Sequence, residues 1–70
     1  MTEVQATMAG SVWKIIAEKG ETIKSGEDIA ILESMKMEIP ITSTSDGVLK
    51  EWKVTEGDFV DEGDTIAIIE

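Results

Sequence analysis

The chain has 70 residues, fifteen acidic against six basic side chains, a net charge of -9, and no cysteine or histidine, so it can form at most one small domain, without disulfides or thiolate metal sites. Phosphate backbones and anionic membrane surfaces are held by clustered Lys and Arg; here the lysines are scattered at 14, 19, 24, 36, 50 and 53 and arginine is absent, which argues against nucleic acid and membrane as partners. The acidity reads as solubility, with solvated carboxylates keeping a small protein from self-association, and a monomer is expected.

Met1-Thr2-Glu3-Val4 lacks the basic stretch and apolar run of a signal peptide, and the longest strongly apolar run, Ile66 to Ile69, is far too short to span a bilayer. A cytoplasmic location is the expectation. Strand-like runs rich in Val, Ile and Thr then follow in order: Val4 to Met8, Val12 to Ala17, Ile29 to Leu32, Ile39 to Thr44, Val48 to Val54 and Thr65 to Ile69. Shorter pieces around Ile23 and Phe59-Val60 complete four strands per half.

The halves are copies. Shifting the sequence by 37 positions aligns residues 4–33 with 41–70 without a gap, and eight of the thirty pairs are identical, among them Gly10 with Gly47, Gly20 with Gly57 and Gly26 with Gly63. Conservative pairs such as Val4 with Ile41, Val12 with Leu49 and Ile23 with Val60 extend the match. The recurrent glycines read as strand punctuation at tight turns, where positive φ is needed. Ser25-Gly26-Glu27-Asp28 could also cap a helix running through Ile29, Leu32 and Lys36. The equivalent stretch in the second half, Asp64 to Ile69, is rich in β-branched residues and favours a strand. Two half-barrels too small to fold alone are expected to pack about a pseudo-two-fold axis, each covering the apolar face of the other, as a single domain over residues 1–70.

Residues 34–40 are the only segment between the copies, which places a unique turn at Ser34-Met35-Lys36-Met37. Turns draw on Gly, Asn, Asp or Pro, so Met-Lys-Met is odd at a hairpin tip. The residues themselves leave two readings open. In one, the methionines fold back onto the sandwich and Lys36 is an ordinary solvated residue. In the other, the turn is presented to partner proteins, with adaptable thioethers as contact surface and the lysine amine as a nucleophile whose acylation extends a flexible stem into a longer arm.

Glu33-Ser34-Met35-Lys36-Met37-Glu38 resembles the attachment signature of biotinyl domains, in which an Ala- or Ser-Met-Lys-Met tetrad carries biotin on its lysine. The resemblance covers residues 4–70, including Ala6-Thr7-Met8-Ala9-Gly10 where the family often has Ala-Pro-Met-x-Gly, and is nearest to small free-standing biotin/lipoyl attachment proteins. It implies an all-β flattened barrel of two four-stranded antiparallel sheets, the barrel-sandwich hybrid, with Lys36 on an exposed hairpin. It also implies a non-catalytic carrier: biotin joined to Lys36 by a biotin protein ligase, loaded by a biotin carboxylase and unloaded by a carboxyltransferase. Met35, Met37 and Ser34 would flank the lysine as recognition residues and Glu33 would be a weaker member of the motif. Ser34 stands where alanine is commoner and Thr7 where proline is.

Lipoate is the nearest alternative cargo, since lipoyl domains present a lysine on the equivalent turn; theirs more typically follows aspartate, so Met35 favours biotin. A calcium site at Asp58-Phe59-Val60-Asp61-Glu62-Gly63 fails on ligand pattern, with Val60 at the third position and Ile69 at the twelfth. Without histidine or cysteine, no acid-base or nucleophilic constellation is legible. Trp13 and Trp52 read as core or core edge.

Overall fold

Six aliphatic pairs related by the 37-residue shift form the centre of the protein. Val4 and Ile41, Val12 and Leu49, Ile23 and Val60, Ile29 and Ile66, Ala30 and Ala67, and Leu32 and Ile69 are all buried in one cluster. Each large aliphatic side chain so buried contributes about 1.5–3 kcal/mol. The structure, a computed structural model, describes residues 2–70. They form eight strands: β1 (Thr2–Gln5), β2 (Gly10–Ile15), β3 (Thr22–Ile23), β4 (Asp28–Ser34), β5 (Met37–Thr42), β6 (Gly47–Trp52), β7 (Phe59–Val60) and β8 (Thr65–Ile69).

The strands pair antiparallel into two four-stranded sheets, ordered β1-β8-β6-β3 and β5-β4-β2-β7. Replacing each strand of one sheet by its 37-residue counterpart generates the other. The registers obey the same rule: Val12 opposite Leu32 and Lys14 opposite Ile31 become Leu49 opposite Ile69 and Glu51 opposite Ile68, with a bulge at the same place in each. The sheets are not the halves, however. Each draws two strands from either copy, so the copies interlock instead of stacking face to face, and neither can complete a sheet alone.

Most expected strands run past their real ends. β1 stops at Gln5 because the Ala6 N–H is taken by the Asp64 carbonyl at 2.9 Å. β2 stops at Ile15 because the N–H groups of Ile16 and Ala17 both donate to one carbonyl, that of Ile29, at 2.9 and 3.2 Å. The segment from Asp28 onward is strand β4, not a helix.

Four of the six glycines close tight turns. Gly20, Gly26, Gly57 and Gly63 have φ between 86° and 96°, and each follows two residues after the carbonyl that accepts the turn hydrogen bond, as in Asp64 N–H to Asp61 at 3.0 Å. Gly10 and Gly47 do something else. They open β2 and β6, and a Cβ on them would sit 2.8 Å from the Glu33 carbonyl oxygen and 2.6 Å from that of Glu70, so close strand approach is what requires glycine there.

The carboxylates are also more structural than solubility demands. Backbone N–H groups of Thr55 and Asp61 donate to Asp58 Oδ2 and Asp64 Oδ2, both at 2.9 Å, within their own turns. Ser25 N–H donates to Asp46 Oδ1 at 2.7 Å, and Ile15 N–H to Glu56 Oε2 at 2.9 Å, tying separate segments together.

Candidate functional site

β4 and β5 form the longest ladder in the fold, with six paired positions from Asp28 opposite Thr42 to Ser34 opposite Met37. Its inner half is fixed by burial of Ala30, Leu32 and Ile41 and by Ile39 packed against the core. Ser34 opposite Met37 leaves two residues to reverse the chain, Met35 and Lys36. The twist of an antiparallel pair favours two-residue turns with positive φ at the first or at both positions, and here both have it: 51° at Met35 and 65° at Lys36, the only non-glycine residues with positive φ among those described. For side-chain-bearing residues this conformation costs roughly 1–2 kcal/mol each. The ladder supplies the free energy that holds it.

Gly10 packs beneath the turn, its α-carbon so close to Glu33 and Ser34 that a Cβ would lie 3.3 Å from Ser34 Cβ as well as against the Glu33 carbonyl. Removing that space would push the base of the hairpin outward. The sequence reading missed this role because a glycine in a repeat suggests a turn, whereas the requirement comes from a strand 24 positions away.

The sequence-predicted residues are brought together here and nowhere else. Met35 is 90% exposed and Met37 63% exposed, and Lys36 is exposed between them, so the methionines do not fold back onto the sandwich. Among the described residues no hydrogen bond or ion pair restrains the Lys36 ammonium. Ser34 is half-buried above Gly10, and exposed Glu33 lies directly opposite exposed Glu38. That pairing of like charges is mildly unfavourable. Chemically the site is a primary amine at a hairpin tip, flanked by two apolar side chains and, one step back, by two carboxylates. It can be acylated. A recess of about 390 Å³ lies away from the tip, between edge strands β1 and β5, lined by Glu3 to Thr7 and by Pro40, Ile41, Thr42 and Thr44. Among the described residues no three His, Cys, Asp or Glu side chains are grouped to hold a metal ion.

The family described as "Biotin-requiring enzyme", the biotin/lipoyl domain, matches residues 2–69. The chain belongs to this family. This biotin/lipoyl domain is 52% identical over 63 residues to the biotin/lipoyl attachment protein of Bacillus subtilis, covering 90% of this chain and 86% of that one. It is 37% identical over 67 residues to the biotinylated protein TB7.3 homolog of Mycobacterium leprae, covering 96% and 94%. Among solved structures, the urea carboxylase of Kluyveromyces lactis superposes with a TM-score of 0.93 at 29% identity, over 99% of this chain and 6% of that one. The fold is that of a carrier domain, shared by relatives of its own size and by much larger carboxylases.

Proposed function

We propose that this biotin/lipoyl domain is a biotin carboxyl carrier whose acceptor is Lys36. The observation that carries the reading is the two-residue turn with positive φ at Met35 and Lys36, which projects an exposed amine from the end of the longest ladder in the fold. Bound there as an amide, biotin supplies a ring that takes up a carboxyl group at a biotin carboxylase and gives it up at a carboxyltransferase. The chain's own residues hold and present the arm. Attack of Nζ on the activated carboxyl group forms the amide and expels the activating group, and the biotin protein ligase takes up the proton that the amine gives up.

Met35 and Met37 supply apolar contact to successive partners, and Ser34 and Glu33 fix the base of the tip. Tethering raises the local concentration of the cargo at each partner site, the physical gain from covalent attachment. The domain acts as one unit over its 70 residues, as a monomer, in the cytoplasm. Among the described residues no helix is long and apolar enough to cross a membrane.

Lipoate is the other acyl group such a lysine could take, and Met35, where lipoyl domains more typically have aspartate, supports biotin. Intact mass of the protein purified from biotin-fed cells distinguishes the two. One biotinyl increment is expected. An unshifted mass, or a lipoyl increment, would overturn the reading.

A further inference from the structure

The internal repeat provides a control on which exposed apolar residues the fold needs. A residue required for packing or pairing should recur as apolar in the other copy; Trp13 and Phe59 do not. Their equivalents 37 positions away are Lys50 and Thr22, at the same bulge and in the same register: Phe59 pairs with Ser11 as Thr22 pairs with Val48. Yet Phe59 is 67% exposed and Trp13 50% exposed. At the equivalent positions the sheet β1-β8-β6-β3 has no aromatic ring: Lys50 lies 3.7 Å from Glu70, and Thr22 pairs with Val48, an aliphatic residue that is 42% exposed. The sheet β5-β4-β2-β7 instead offers two aromatic rings on adjacent strands, as diagonal neighbours.

That sheet is the one that carries Lys36. Phe59, Ser11, Glu33 and Glu38 form one row across β7, β2, β4 and β5, and Glu38 is two residues from the lysine. At about 4.8 Å per strand, Phe59 stands about 10 Å from Glu33. A protein interface of standard size buries roughly 800 Å² on each side, a disc about 16 Å in radius, and is anchored by a few aromatic residues. An interface of that size that extends from Lys36 over this face of the sheet takes in the row of Phe59, with Trp13 two residues beyond Ser11 on the neighbouring strand.

We infer that Phe59 and Trp13 are the docking anchors for the enzyme that acylates Lys36, an inference that rests on the carrier reading above. The acylating enzyme is singled out because the bare domain offers it no cofactor to grip, so its recognition falls on protein surface, whereas later partners also bind the cargo. Glu33 and Glu38 share the row of Phe59, and Glu56, Asp58 and Asp61 flank Phe59 along the chain against one lysine, Lys14, beside Trp13, which calls for an apolar centre with a mainly basic rim on that enzyme. The same charge disfavours a second copy of this chain as the occupant.

The test exchanges the anchors for the residues that the repeat itself places at the equivalent positions. Phe59→Thr with Trp13→Lys, in the full unmodified protein, should raise its KM as substrate for purified biotin protein ligase by about tenfold or more, with kcat nearly unchanged and circular dichroism unaltered. The reciprocal pair Thr22→Phe with Lys50→Trp, on the other sheet, should leave KM unchanged. An unchanged KM in the first pair, with Lys36 of the wild type loading normally, overturns this inference alone. A wild-type dimer in sedimentation that the first pair dissociates assigns the patch to a second copy and overturns it too. A wild type that takes no biotin on Lys36 defeats the carrier reading and this inference together.

Discussion

The turn at Met35-Lys36 and the four glycine turns solve the same geometric problem in opposite ways. At Gly20, Gly26, Gly57 and Gly63 the chain reverses with positive φ on a residue that adopts it freely, and no atom lies within 4 Å of where a Cβ would sit. At Met35 and Lys36 it takes up the same half of conformational space with two large side chains. The first four turns also recruit neighbouring groups, as when Asp58 and Asp64 accept backbone N–H groups. The fifth recruits none and leaves its side chains in solvent. Glycine turns optimise stability, and the Met-Lys turn gives some of it up to place particular side chains at a tip. Strain retained at one position and avoided at four others marks the position where side-chain identity matters.

Substitutions can break that contrast or sharpen it. The largest effect is expected from Lys36→Arg, which keeps charge and backbone preference but removes the proposed acceptor amine: avidin blotting should lose all signal, while the unfolding free energy from urea titration stays within about 0.5 kcal/mol of wild type, as for other exposed sites. Gly63→Ala adds a Cβ in open space at a φ of 90°, so its cost is purely conformational, roughly 1–2 kcal/mol by urea denaturation. Met35→Gly should do the reverse, stabilising by up to about 1 kcal/mol as the strained conformation is relieved and the added backbone entropy offsets part of the gain. The same variant should load biotin more slowly. If it is neither more stable nor slower to load, the turn is not a trade of stability for presentation. The smallest effect belongs to Glu38→Lys, which replaces a like-charge pair opposite Glu33 by an opposite-charge one and should stabilise by a few tenths of a kcal/mol, with the gain shrinking as salt is added.

The parts of this architecture that were legible in the sequence are those encoded twice. Buried pairs such as Val12 with Leu49 and Ile23 with Val60 announce two superposable strand sets, and the one segment they do not share announces the hairpin at 34–40. What the sequence could not show depends on partners distant along the chain. Interlocking of the copies follows from β8 pairing with both β1 and β6, which no local pattern specifies. Gly10 looks like a turn glycine until Glu33 is seen against it. Both tryptophans read as core or core edge, and Trp52 is, tucked against the core with its indole N–H donating to the Ala17 carbonyl at 3.1 Å, whereas Trp13 sits on the bulge of β2 and is half exposed. At the site, residue identities were legible and the conformation was not, because Met-Lys has no intrinsic preference for positive φ and adopts it only under the constraint of the β4–β5 ladder.

Under the proposed function, presentation at this turn, and not lysine chemistry in general, selects Lys36. Peptide mapping by mass spectrometry after loading by purified biotin protein ligase tests it directly, because six lysines compete in one chain. The account predicts biotin on the peptide containing Lys36 and on no other. Comparable labelling of Lys19 or Lys24, which border glycine turns, would contradict it.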